Sequence, residues 1–246
     1  MLTAYDYPFA RIVDEAGIDV VLIGDSLGIV VQGHATTLPV TIDQMIYHAT
    51  MVARATRRAL VIGDMPFMSF QVSDEEAVRN AGRFLQEAGA AAVKLESSPS
   101  MLSRVKAITS ANIPVMAHLG LAPQSIHKMG GYKVQGRDRG SAQRLLDEAK
   151  RAEDAGAFAL LIEGVPSAVA REITRAVAVP TIGIGAGAAC DGQVLVLHDL
   201  LGLFDQFSPK FVKRYADLRA AAMAAIVQYR DEVVNGQFPS ERESYQ

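Results

Sequence analysis

The chain has 246 residues, half of them hydrophobic and 21% charged, with a net charge of −3. That is the usual length of one α/β barrel, and a chain of this size buries about three quarters of its unfolded surface without covalent staples. A pI near 6.0 leaves no electrostatic footprint for nucleic acid or an anionic membrane as partner. Cys190 is the only cysteine, so an intrachain disulfide is excluded and a reducing compartment is expected. No apolar run reaches membrane-spanning length, and no basic stretch followed by an apolar core opens the chain. These features predict a soluble, cytoplasmic protein.

Short apolar runs alternate with amphipathic stretches. In chain order, a strand at 2–5 precedes a helix at 8–16, and a strand at 20–24 leads through a long loop (26–41) to a helix at 42–56. A strand at 60–64 is followed by a helix at 74–88, and a strand at 91–96 by a helix at 101–109. The strand at 114–118 leads through a second long loop (119–140) to a helix at 141–155. The last three pairs are 158–163 with 167–176, 180–184 with 193–199, and 203–207 with 209–234. Such alternation predicts parallel strands. Eight units predict a single (β/α)8-barrel domain over residues 1–246, with a doubly wound open sheet as the alternative. A weak repeat supports the barrel. Ala16-Gly17, Ala88-Gly89 and Ala155-Gly156 each end a helix and lead into an apolar run that finishes in an acid, namely Asp25, Glu96 or Glu163. Glycine there supplies a left-handed cap at little steric cost.

The ionisable groups fall at one end of the strands. Asp25 follows the second strand, Asp64 ends the third, Lys94 and Glu96 end the fourth, His118 ends the fifth and Glu163 ends the sixth. In a barrel these ends form one ring, where active sites of this fold lie. Each residue alone has an ordinary reading: Asp25 as a helix cap, Lys94 and Glu96 as a solvated pair, His118 as a satisfied structural histidine. Ordinary readings do not predict all six at the same end. Lys94 and Glu96 are two apart and share a strand face, so both point inward while Val93 and Leu95 pack outward. Asp25, Asp64 and Glu96 offer oxygen ligands without thiolate, which suits Mg2+. Lys94 offers a point charge, and Ser26 a hydrogen bond, to a substrate carboxylate. Glu163 is placed to be a general base.

Two glycine-rich stretches have less specific readings. Gly183-Ile184-Gly185-Ala186-Gly187 follows the seventh strand, where many barrels bind phosphate, but it lacks a dinucleotide fingerprint and reads as a tight turn. Gly130 to Arg137 reads as a lid with polar tips or a mobile loop. The Ala220–Val227 stretch is rich in alanine and apolar residues, as a packing helix or a subunit interface would be.

Several segments together carry a resemblance: Thr3-Ala4-Tyr5-Asp6, Gly24-Asp25-Ser26-Leu27-Gly28, Thr37-Leu38-Pro39-Val40-Thr41 and Asp64-Met65-Pro66-Phe67. Val93-Lys94-Leu95-Glu96, His118-Leu119-Gly120-Leu121, the loop 130–137, Ile182 to Gly187 and Asp191-Gly192-Gln193 continue it. In this order and over essentially the whole chain, they resemble the ketopantoate hydroxymethyltransferase family of pantothenate biosynthesis. The resemblance implies Mg2+-dependent transfer of a hydroxymethyl group from 5,10-methylenetetrahydrofolate to 3-methyl-2-oxobutanoate through a metal-stabilised enolate. It implies Asp25, Asp64 and Glu96 as metal ligands, and Asp25, Ser26, Asp64 and Lys94 as 2-oxo acid contacts. Glu163 is implied as proton acceptor, and His118 as an active-site histidine of undefined role. It also implies small-molecule substrates and a homo-oligomer, often a decamer. Family members usually carry an extra segment before Thr3, so a short first strand and a less covered barrel base are expected. Three alternatives stay open: a metal-enolate enzyme of the isocitrate lyase or phosphoenolpyruvate mutase type, a phosphosugar isomerase barrel, and a non-catalytic oxo-acid-binding barrel.

Overall fold

The computed structural model describes residues 1–245. Eight strands form one sheet in the order β1 to β8, all neighbours parallel: β1 Leu2–Thr3, β2 Val20–Ile23, β3 Leu60–Asp64, β4 Ala92–Glu96, β5 Val115–Gly120, β6 Ala159–Glu163, β7 Thr181–Ile184 and β8 Gly192–Gln193. A parallel bridge from Leu2 to Leu195, with Thr3 N donating to Leu195 O at 3.2 Å, joins the last strand to the first. The sheet therefore closes, which removes its edges and settles the architecture as a barrel rather than an open doubly wound sheet. β1 covers only Leu2–Thr3 of the expected 2–5.

The crossovers are α1 Tyr7–Glu15, α2 Leu27–Val30, α3 Ile42–Ala55, α4 Asp74–Gln86, α5 Leu102–Ser110, α6 Ile126–Met129, α7 Arg139–Asp154 and α8 Ser167–Ala176. Local chemistry sets their starts. Asp6 caps Phe9 N, Ser73 caps Glu76 N, and Thr41 with Gln44 forms a reciprocal capping box. Gly17, Gly89 and Gly156 have φ of 80°, 74° and 97°, the left-handed turns anticipated from the Ala-Gly repeat.

By contacts the chain divides into two compact units, Met1–Val196 and Leu197–Gln246. The first contains the whole barrel. The second contains α9 Leu197–Leu200 and α10 Leu218–Val234. This corrects three expectations. Strand eight lies at Gly192–Gln193, not at 203–207, and the expected helix at 193–199 gives way to it. Val194 N donates to Gly183 O and Leu195 O accepts from Thr3 N, so both neighbouring strands consume the polar groups a helix would need. Residues 203–207 are instead the turn after α9, with Leu203 N and Phe204 N both donating to His198 O. The last helix begins at Leu218, not at Pro209. Tyr215 N and Leu218 N bond to Leu200 O and Leu201 O, and Asp217 caps Ala220 N.

Inside the barrel, Leu22, Ile62, Ala92, Met116, Ala159, Leu161, Ile184 and Val194 form one apolar cluster. Val93 and Leu95, on the other face of β4, are fully buried beneath the outer helices, as their alternation predicts. Gly63 is required by packing: a methyl there would collide with the Phe84 ring of α4. The helices bury one stripe each, and α7 buries Leu145, Ala149 and Ala152. That spacing puts Glu148 on the same stripe, where burial pushes its carboxyl up to about 7. A folded value above the ordinary 4.5 contributes stability below that value and loses it as pH rises through about 7. Glu148→Gln should therefore raise Tm by about 2–4 °C at pH 8, roughly 1 kcal/mol, and not at pH 4, as calorimetry at both pH values would show.

Candidate active site

The barrel alternation aims the functional groups. Asp64 stands two residues beyond Ile62, Lys94 two beyond Ala92, His118 two beyond Met116, and Glu163 two beyond Leu161. Each reference residue belongs to the interior cluster, so each functional side chain points into the barrel mouth. Register aligns them, with Asp64 paired to Lys94, Glu96 to His118, and Gly120 to Glu163. Gly120 sits at φ 95°, and a side chain there would strike the Glu163 carbonyl. This close approach holds β5 and β6 together beside the candidate base.

Burial removes the ordinary readings. Asp25, Asp64, Lys94, Glu96 and His118 are all at most 7% exposed. Asp25 does not cap α2; its carboxylate accepts from Gln124 Nε2 at 2.9 Å. Lys94 and Glu96 are not a solvated pair. Lys94 Nζ donates to both oxygens of Asp64, at 2.7 and 2.6 Å, and Asp64 also accepts from Asp25 N at 3.1 Å. Glu96 accepts from Gln124 N at 2.9 Å. Ser26 Oγ is 2.8 Å from Tyr5 Oη, which orients it beside Asp25.

Three buried carboxylates therefore face one buried ammonium. Burial raises the Asp64 carboxyl, and the Asp25 charge adds to this against the pull of Lys94, leaving it at about 7. Burial and Asp25 hold Glu96 well above the usual carboxylate range. For Lys94, burial works against the charged form, but Asp64 and Asp25 outweigh it and hold the ammonium above its ordinary value. Excess buried negative charge with hard oxygen donors and no thiolate is what a site for a divalent hard cation presents. Among the described residues, no three His, Cys, Asp or Glu side chains are already gathered as a metal cage. Mg2+ takes oxygen ligands and fills its remaining positions with water and substrate, so a set of carboxylate donors without thiolate fits it.

The second half of the mouth is a His–Glu pair. His118 Nε2 lies 3.2 Å from Glu163 Oε2, out of hydrogen-bonding alignment, and among the described residues neither ring nitrogen of this buried histidine has a hydrogen-bond partner. A satisfied structural histidine would not be left so. Burial, reinforced by the Lys94 charge, pushes His118 below its ordinary value and keeps the ring neutral at pH 7. Glu163 keeps 17% of its side chain exposed, the access a proton acceptor needs.

The loop after β5 completes the mouth. Gln135 N donates to Gly164 O at 2.9 Å, pinning the loop to the residue after Glu163. Tyr132, half exposed, has its phenol pushed up by burial and by the charges of Asp25, Glu163 and Glu96. The glycines after β7 make the tight turn their sequence suggests, with Gly185 and Gly187 at φ 60° and 80°. Sequence reasoning missed Gln124. The only local signal was a polar residue directly after Pro123 in a 3-10 turn, Pro123–Ser125, at the start of the long loop.

The sequence pattern of the family described as Ketopantoate hydroxymethyltransferase matches residues 1–241. The chain belongs to the ketopantoate hydroxymethyltransferase family. The 3-methyl-2-oxobutanoate hydroxymethyltransferase of Desulforapulum autotrophicum (strain HRM2) is 58% identical over 244 residues, covering 99% of this chain and 91% of that protein. Among solved structures, the phosphoenolpyruvate phosphomutase from Streptomyces platensis subsp. rosaceus is similar with a TM-score of 0.64 at 18% identity, over 96% of this chain and 82% of that one. A phosphonopyruvate hydrolase in complex with oxalate and Mg2+ gives 0.62 at 14% identity, over 98% and 87%. These two share the fold with members of the ketopantoate hydroxymethyltransferase family such as this chain.

Proposed function

We propose that the barrel transfers a hydroxymethyl group from 5,10-methylenetetrahydrofolate to 3-methyl-2-oxobutanoate, giving 2-dehydropantoate and tetrahydrofolate in pantothenate biosynthesis, with Mg2+ as its metal. The observation that carries this reading is the pairing, within one buried mouth, of a carboxylate-rich Asp25, Asp64 and Glu96 cluster with a separate, partly exposed Glu163. Family membership supplies the substrates. The oxalate and Mg2+ of the phosphonopyruvate hydrolase complex are the same ligand chemistry on the same fold.

Asp25, Asp64 and Glu96 would hold the metal. When bound, it supplies a Lewis acid that polarises the 2-oxo group. Lys94 presents its ammonium to the substrate carboxylate, and Ser26, oriented by Tyr5, adds a hydrogen bond. Glu163 takes the proton from C3. The electron pair left on C3 forms the new carbon–carbon bond to the folate methylene carbon, both methylene–nitrogen bonds break, water supplies the hydroxyl, and the two folate nitrogens take up two protons, one from Glu163 and one from that water. His118 stands beside that carboxylate, at 3.2 Å. Tyr132 and its loop limit the access of bulk water to the mouth.

Assembly as a homo-oligomer, with the decamer as the family's pattern, is part of the reading. All 17 residues of α10 lack burial, although Met223, Ile226, Val227 and Val233 are apolar and alanines surround them. A helix apolar on most sides calls for a covering surface. Among the described residues no helix is long and apolar enough to cross a membrane, and a cytoplasmic location is proposed with the pathway. The deciding experiment is product analysis by mass spectrometry with the oxo acid, the folate and Mg2+. Product should form only with all three, and chelation should stop it. Turnover of the oxo acid without the folate would move the reading to the lyase or mutase type.

A further inference from the structure

We infer that Gln124 is a positioning residue that holds Asp25 and Glu96 in the orientation the metal needs, and that Gln71 sets the polarity of its amide. The inference rests on the metal reading above and goes beyond it, because neither glutamine is a ligand or a substrate contact in that reading.

Gln124 is only 6% exposed, and its backbone N–H and both ends of its side-chain amide are hydrogen-bonded. Its backbone N donates to Glu96 Oε1 at 2.9 Å. Its side-chain Nε2 donates to Asp25 Oδ2 at 2.9 Å and to Met65 O at 3.0 Å. One residue thus ties together two carboxylates that arrive on different strands and carry like charge. Mutual repulsion would otherwise turn Asp25 and Glu96 apart whenever both ionise.

The amide orientation is fixed by backbone groups whose polarity cannot change. Met65 O only accepts, so the NH2 of Gln124 must face it, and the same NH2 then faces Asp25. The outward oxygen of Gln124 accepts from Gln71 Nε2 at 3.1 Å. Gln71 is oriented in turn because its own oxygen accepts from Phe70 N at 3.3 Å. The loop carrying Gln71 is held by Arg104 of α5, which donates to the carbonyls of Phe70, Gln71 and Val72 and pairs with Asp74. A reversed Gln124 amide would put an oxygen against both Asp25 and Met65 O, two unfavourable contacts at a buried site. The relay from Phe70 N through Gln71 prevents that reversal.

Gln124 also lies in the 3-10 turn at the start of the long loop that carries Tyr132. Its 3-10 turn therefore couples the base of that loop to the geometry of the carboxylates.

The test uses Mn2+ as the probe, titrated into the whole protein and read by the electron paramagnetic resonance of the free ion, with and without 3-methyl-2-oxobutanoate. Gln124→Met keeps the side chain's length and the backbone bond to Glu96 but removes the amide. Loss of a hydrogen-bonding residue behind a metal ligand typically costs 10- to 100-fold in affinity, and a loss of roughly that size is expected here. Gln71→Leu, farther out, should weaken Mn2+ binding less. In the Gln124→Met background Gln71→Leu should add nothing, because the residue it acts through is gone. Circular dichroism melts identify a variant that has merely unfolded; if Gln124→Met is one, the Gln71→Leu loss decides alone. Wild-type Mn2+ affinity in folded Gln124→Met, or additive losses in the double variant, would overturn the inference while leaving the metal reading intact. No Mn2+ binding by the wild-type protein would overturn that reading and the inference with it.

Discussion

Glu163→Gln should slow exchange of the C3 hydrogen of 3-methyl-2-oxobutanoate with deuterated water by about 10² or more, while leaving Mg2+ and oxo-acid affinity near wild type. The expectation follows from the division of the mouth. The cluster of Asp25, Asp64, Lys94 and Glu96 comes from β2 to β4 and its loops, and Glu163 belongs to none of its hydrogen bonds. The His118 ring lies 3.2 Å from its carboxylate. Glutamine keeps the shape and can still meet the ring, but it cannot take a proton. Proton NMR without folate reads the exchange, and calorimetric titration reads binding. Loss of oxo-acid binding in step with exchange would place Glu163 in the binding set. Exchange at the wild-type rate would remove it as the base and leave His118, whose orphaned ring nitrogens make it the next acceptor in reach.

The barrel was legible because its grammar is local. Left-handed glycines after helices, and acids two residues beyond an inward apolar residue, recur along the chain and need no knowledge of distant contacts. The inward aim of Lys94 and Glu96 could be read from alternation alone. The end of the barrel could not. β8 has two residues, one of them glycine, and its identity depends on the hydrogen bonds that Gly183 and Thr3 make to it across the sequence. The apolar run at 203–207 had a better strand composition and no neighbour to pair with. Roles within the site divide the same way. Strand ends announced Asp64, Lys94, Glu96, His118 and Glu163, whereas Gln124 lies in an irregular turn and meets Asp25 across 99 positions of sequence. The sequence also suggested Lys94 as a free charge for substrate. The structure adds a second partner, since the same ammonium donates to both oxygens of Asp64.

That pairing shapes the second large effect. Lys94→Met should weaken oxo-acid binding by about 10²-fold, since a charge-assisted contact to the substrate carboxylate is lost from a secluded site. It should also destabilise the metal-free protein by about 3 kcal/mol at pH 8, because it strands Asp64 among Asp25 and Glu96 in a buried position. The pH dependence has a fixed sign. Asp64 already sits at about 7, above its ordinary 3.8, with Lys94 pulling it down. Without that ammonium its folded value rises further, so the cost of ionising it is absent at pH 4 and grows as pH climbs through neutrality. Melting curves of the two proteins should therefore lie closest at acid pH and separate by pH 8. Mg2+ at pH 8 should close part of the gap, since a cation among the same carboxylates replaces charge that the lysine supplied. A gap independent of both pH and Mg2+ would mean that Lys94 acts in the fold through packing of its alkyl chain and not through its charge.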